Sequence, residues 1–241
     1  MPRRHAFTLV ELLVVISIIA LLIAILLPAL SSAREASKQV KDLSNARQWG
    51  MACFAFAGDN KGRLPQGDLG QNYTQTWVWF NYQSWLTLHE DYGLPQEASK
   101  CLAYESQDTL FFNDHFGNQA WTDIGWIYYG NRNDMSVGTT QDGQNYITPK
   151  NVTDTQATSQ TLLACWHYDG ETVGRPYGSW VAHTDKSWGY RRYSSGELGG
   201  DITRSGMSGL NVTLTDGSAS WVAYRDLEWF EQAEALYFQP D

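Results

Sequence analysis

The sequence predicts an α+β protein: a long N-terminal helix, transmembrane in its lower half, packed at its upper half on an antiparallel β-sheet. Three observations carry this. An apolar run close to the N-terminus continues into an amphipathic stretch with no turn signal between them, so one helix spans both. The helix ends at GDNKGRLP (58–65), where glycine, asparagine and proline cluster. Near the C-terminus, GLNVTLTDGSASWVAY (209–224) sets Asp216-Gly217, a dipeptide favoured in tight hairpin turns, between two strand-like runs.

The first element is the apolar run. From Leu12 to Leu27 every residue except Ser17 is apolar, and with Phe7 to Val10 in front the stretch reaches the roughly 20 residues that cross a bilayer as a helix. Glu11 stands almost at its start. A carboxylate near a hydrocarbon core costs on the order of 2.5–3.5 kcal/mol, so its presence asks for a function. A local reading exists: Thr8 and Glu11 have the spacing of a capping box, in which hydroxyl and carboxylate satisfy amides at a helix start.

The whole stretch AFTLVELLVVISIIALLIAILLP resembles the N-terminal signature of type IV pilins and of the pseudopilins of type II secretion. The shared pattern is a short basic leader, a phenylalanine, a glutamate four residues on, and an apolar helix with a proline. The resemblance implies that a prepilin peptidase cuts between Ala6 and Phe7 and methylates the new Phe7 amine. It implies that Glu11 pairs with that amine on a neighbouring subunit as the helix joins a filament, and that Pro28 lies near a stretch that loosens on packing. Ala6 departs from the glycine usual before the cut, from which slower processing is expected. Residues 1–6 then form a leader, 7–30 the transmembrane half of the helix, 31–57 its amphipathic half and 58–241 a globular pilin-like domain. The implied partners are other copies of the chain, other pilins or pseudopilins, the peptidase and an inner-membrane assembly machinery. The implied location is a single-pass inner-membrane precursor with its domain outside the cytoplasm, and then a periplasmic pseudopilus or an extracellular filament. The competing reading of the same segment is a secretory signal peptide, with Arg3 and Arg4 as its basic region and ALSSA (29–33) as the cleavage site. Its apolar core is longer than the usual 7–15 residues and begins with Glu11.

Beyond Pro28, Ala33, Ala36, Val40, Leu43 and Ala46 recur at spacings of three and four, one face of a helix expected to dock on a sheet. Phe7 to about Ala57 therefore reads as one helix, on the order of 75 Å long at 1.5 Å per residue. Short helices are expected at 84–94 and 96–106, strands at 121–130 and 160–168, long loops between Asp169 and Met207, and a terminal helix over Leu227–Phe238. In the 209–224 hairpin a two-residue turn pairs Leu214 with Ala219, Val212 with Trp221 and Leu210 with Ala223. Their apolar side is expected to face the helix. The hairpin also resembles the end of a large bacterial group of pilin-like proteins. Many of these carry a histidine ten residues before the turn aspartate, where this chain has Gly206.

Composition bounds the function. A formal net charge of -9 disfavours nucleic acid, whose phosphates demand a basic face. His167, Asp169, Glu171, His183 and Asp185 supply residue types of an acid/base or metal site without any catalytic spacing, so no enzyme is expected. Asp134, Asp142 and Asp201 are calcium candidates, since some pseudopilins that this chain resembles hold calcium in a loop. None has the spacing of a calcium loop, and turn residues without an ion are the simpler reading. Cys53, Cys101 and Cys165 are too scattered for the close ligand pairs of a zinc site. An extracytoplasmic domain, as the resemblance implies, permits one disulfide. Cys101 with Cys165 is the pairing preferred, and buried reduced cysteines are the alternative. Eleven tryptophans and thirteen tyrosines, crowded at Trp77, Trp79, Phe80, Tyr82, Trp85 and again at Trp180, Trp188, Tyr190, Tyr193, build either a core with subunit contacts or a platform for a glycan or surface ligand. The alternative to a filament subunit is thus a membrane-tethered or secreted aromatic-rich binding protein that does not polymerise.

Overall fold

The computed structural model describes residues 9–67, 79–99, 101–102, 112–113, 121–123, 126–131, 147–157, 159–165, 168–169, 179–181, 191–192, 209–229 and 236–237. The chain divides into two compact units, Met1–Gln39 and Val40–Asp241.

Helix α1 (Leu9–Asp59) supplies the whole described part of the first unit. Residues 9–34 are exposed throughout. Two hydroxyls of this stretch bond to the helix's own backbone: Ser17 Oγ donates to the Leu13 carbonyl at 2.8 Å and Ser32 Oγ to that of Pro28 at 3.2 Å. Pro28 lies inside the helix, where it supplies no N–H and so withdraws one rung of the ladder.

In the second unit α1 buries Asp42, Asn45, Ala46, Trp49, Gly50, Ala52, Cys53 and Ala57, a stripe at the three-and-four spacing of one helix face. Of the expected stripe, Ala46 is buried as expected and the rest is corrected. Val40, Ala33 and Ala36 are exposed, Leu43 is half-buried, and the polar pair Asp42 and Asn45 turns inward because each finds hydrogen-bond partners there. The helix ends where the sequence signals it. Lys61 and Gly62 adopt φ of 57° and 81°, and the Gly62 N–H reaches back to the Ala57 carbonyl at 2.7 Å, the six-to-one closure of a Schellman cap. The next residues run beside 150–152: Leu64 N–H donates to Lys150 and Val152 N–H to Gly62.

The remaining elements are short. They are β1 (Trp79–Asn81), α2 (Tyr82–Glu90), a 3-10 turn (Gln96–Ser99), β2 (Phe112–Asn113), β3 (Trp121–Asp123), β4 (Trp126–Tyr128), β5 (Thr161–Cys165), β6 (Tyr168–Asp169), β7 (Ser179–Val181), β8 (Arg191–Arg192), β9 (Gly209–Leu214), β10 (Ala219–Ala223), β11 (Glu228–Trp229) and β12 (Leu236–Tyr237). The main sheet is antiparallel in the order β10-β9-β5-β4. Separate small sheets run β1-β3-β2, β6-β7-β8 and β11-β12.

Several expectations are corrected. The terminal helix is replaced at both ends of its range by paired strands, Glu228 opposite Tyr237 and Trp229 opposite Leu236. Ring-rich residues favour a pleated surface, and the chain enters this segment extended at Leu227 (φ -97°, ψ 144°). Residues 179–181 and 191–192, expected in loops, are strands. Within the 121–130 segment β3 and β4 lie in different sheets, and among the described residues of the second short helix Gln96–Ser99 form a 3-10 turn while 101–102 are not helical. The 209–224 hairpin forms, slipped by one residue: Val212 pairs with Ser220, Leu210 with Val222 and Asn211 with Trp221. Gly217, at φ 82°, donates to the Leu214 carbonyl while Leu214 N–H donates to Ser218, so the loop has three residues rather than two. A one-residue slip exchanges the faces. Asn211 and Thr213 now meet the helix, Thr213 Oγ1 donating to the Ala46 carbonyl at 3.0 Å, while Leu210 and Val212 are buried on the other side. Gly50 permits the approach: a Cβ there would lie 2.9 Å from the Gly217 carbonyl oxygen.

The core is aromatic. Trp49, Phe80, Trp126, Tyr128 and Tyr129 are all buried, with Phe80 edge-on to Trp49 and Tyr128 at ring-centroid distances of 5.3 and 4.7 Å. The indoles of Trp49 and Trp126 both donate to the Ala98 carbonyl, at 2.9 and 3.0 Å, and that of Trp85 to Ser99 Oγ at 2.8 Å. The 3-10 turn is the common acceptor that ties α1, α2 and β4 together.

Candidate functional site

Two sites emerge, one in each unit. The first is the apolar part of α1. Large aliphatic side chains from Leu9 to Leu30 are exposed around the whole helix, not along one stripe, so no single docking face accounts for them. Such a surface demands lipid or a surrounding bundle of protein. Glu11 is exposed in the first turn, where the helix dipole favours a carboxylate. Ala6 and Phe7 lie outside the described residues, as do the calcium candidates Asp134, Asp142 and Asp201.

The second site is buried. Asp42 on α1 and Cys165 at the end of β5 meet Cys101, which follows the 3-10 turn. The Cys101 and Cys165 sulfurs are 3.6 Å apart, and the thiols approach Asp42 Oδ2 at 3.6 and 3.4 Å. The sequence pairing of Cys101 with Cys165 thus has the right neighbours, and the structure holds them as thiols rather than as a disulfide. Cys53 is also a buried thiol, and burial pushes its pKa up. Asp42 accepts the Leu102 N–H on Oδ1 and the Asn211 amide on Oδ2, both at 2.8 Å. Burial raises the Asp42 carboxyl above the ordinary carboxylate range, and these donors and the thiols pull it back. Burial likewise raises Cys165, reinforced by Cys101 and Asp42 and opposed by the backbone N–H of Asn211. Sequence reasoning missed Asp42 and Asn211, because an aspartate in an amphipathic helix reads as solvent-facing and an asparagine in a strand carries no motif.

An open cleft of about 640 Å³ in the second unit gathers Asp59, Lys61, Arg63, Asn81, Ser84 and Asn131. It mixes charges of both signs with amides and hydroxyls.

Residues 1–27 match the family described as the prokaryotic N-terminal methylation motif. Comparison with curated proteins and with solved structures gave no match. The motif marks a type IV pilin- or pseudopilin-like protein, and the fold is that class's α+β arrangement, a long N-terminal helix whose upper part packs on an antiparallel sheet. It implies a subunit that prepilin peptidase processes and that assembles with other pilins, starting from an inner-membrane precursor. Pilin-like proteins are generally non-enzymatic structural subunits.

Proposed function

We propose that the chain is a structural subunit of a type IV pilus-like or type II secretion pseudopilus filament. Prepilin peptidase cuts between Ala6 and Phe7, Phe7 becomes the N-methylated first residue, and residues 7–30 hold the precursor in the inner membrane. Extraction into the filament then exchanges lipid for the helices of neighbouring copies. Glu11 neutralises the Phe7 amine of a neighbour during that step, when both charges leave water, and Pro28 supplies a weakened rung where the helix loosens on packing. The domain that follows stays outside the cytoplasm, and the role asks for no catalysis.

The observation that supports this reading is the coincidence of the methylation motif over residues 1–27 with a helix exposed over residues 9–34. A cleaved secretory signal would leave that helix no role in the mature protein. Mass spectrometry of the N-terminal peptide from the native membrane or filament fraction tests it. The expected first residue is methylated Phe7. A chain beginning at Arg34, or one that reaches the surface with its leader intact, overturns the proposal.

A further inference from the structure

Asp42, Cys101 and Cys165 come from positions far apart in the chain, yet their ligand atoms form a small triangle, closed to solvent, with edges of 3.6, 3.6 and 3.4 Å. We propose that this triangle is one face of a tetrahedral site for a single thiophilic divalent cation of the zinc type. A tetrahedral zinc has metal–sulfur bonds of about 2.3 Å and metal–oxygen bonds of about 2.0 Å, which set two sulfurs about 3.8 Å apart and sulfur and oxygen about 3.5 Å apart. All three edges match to about 0.2 Å on that scale, so an ion enters with shifts of a few tenths of an ångström. Closing a disulfide instead requires the sulfurs to approach to about 2.05 Å.

The surroundings fit a ligand set. Leu102 N–H fixes Asp42 Oδ1, the Asn211 amide fixes Oδ2, and the Asn211 backbone N–H donates to Cys165 Sγ. Outer hydrogen bonds of this kind orient metal ligands and spread their negative charge. Asn211 brings a further observation. Its Oδ1 is buried and, among the described residues, has no hydrogen-bond partner, although the same amide group abuts the triangle. An exchange of its oxygen and nitrogen by rotation gives up the bond to Asp42 Oδ2 and sets an oxygen beside the triangle instead, where it serves as the fourth ligand. Two thiolates with one or two oxygens select zinc over calcium or magnesium, which take oxygen ligands alone. On binding, two S–H bonds break as two Zn–S bonds form, and the protons pass to solvent without redox change. Because the ligands are buried, the ion enters as the chain folds, and its binding joins α1, the segment after the 3-10 turn and the central strands. The spacing argument against zinc weighed neighbours along the chain, whereas these ligands come close in space through tertiary packing.

The inference stands apart from the filament reading, since it concerns only the second unit. Full-length protein, purified in detergent without chelator or reductant from zinc-supplied cells, is analysed by elemental mass spectrometry and intact mass. Stoichiometric zinc is expected, with a thiolate-to-cobalt charge-transfer band after cobalt replacement. Cys165→Ser should lose the zinc, Cys53→Ser should keep it, and Asn211→Ala should weaken retention by about 10–100-fold. The wild-type measurement decides even where a variant fails to fold. Zinc-free protein with both thiols reduced, a mass short of two hydrogens from a Cys101–Cys165 disulfide, or zinc that persists in Cys165→Ser overturns the proposal.

Discussion

Glu11 and Asp42 are two carboxylates on one helix with opposite exposures. Glu11 is exposed at the start of an apolar surface, so its cost arises only when that surface is covered. If it pairs with the Phe7 amine of a neighbour, Glu11→Ala removes one partner of a charge pair inside a bundle, a loss of roughly 3–5 kcal/mol. If it serves only as a cap, the loss is about 0.5–2 kcal/mol of helix stability. The expected outcome is intact processing and insertion with filament assembly sharply reduced. Counting mutant copies in filaments co-assembled with wild type measures this, and incorporation at the expressed ratio refutes the pairing. Asp42 is buried, and removing its contacts acts on the fold instead. At this scale the sequence made Glu11 legible because a charge in an apolar run is anomalous. Asp42 was illegible because a charge among polar residues is not, and only the donors at Leu102 and Asn211 reveal it.

Among the elements, the contact between α1 and the β9–β10 hairpin is the most constrained. Gly50→Ala gains about 1 kcal/mol of helix propensity. It also places a Cβ 2.7 Å from Thr213 Cγ2 and 2.9 Å from the Gly217 carbonyl oxygen. The side chain can turn, but the backbone oxygen cannot without moving the turn, and overpacking costs about 1–3 kcal/mol. Net destabilisation is expected, seen as a lower thermal midpoint, and an unchanged or higher midpoint contradicts the tight approach. Thr213→Val tests the neighbouring contact. Losing the bond to the Ala46 carbonyl should cost about 1 kcal/mol in denaturant unfolding. The hairpin itself was legible from Asp216-Gly217, and its register was not. Asp-Gly serves two-residue and three-residue loops alike, and the choice is made by packing that places Thr213, not Val212, against the helix.

For the whole molecule, the two units answer different solvents. The described part of the first is an exposed apolar helix, and the second carries a core centred on Trp49, Phe80 and Tyr128. A secreted chain that begins at Ser31 should therefore remain soluble without detergent and keep the near-ultraviolet circular dichroism of its packed aromatic rings, while the full chain requires detergent. Aggregation of the shortened chain, or loss of that signal, would show that the first unit is needed for the second to fold.

What the sequence determined by itself is everything written in short-range pattern: the apolar run and its glutamate, the motif over residues 1–27, the helix end within GDNKGRLP (58–65), and the existence of the final hairpin. These depend on neighbours within a few residues, where spacing and backbone preference act directly. Tertiary structure alone decided which face of α1 is inside, the hairpin register, the extended ends of the segment expected to form the terminal helix, and the meeting of Asp42, Cys101 and Cys165. Each of these depends on groups far apart in the chain competing for one buried place, and that competition is settled by packing and hydrogen-bond satisfaction rather than by local propensity.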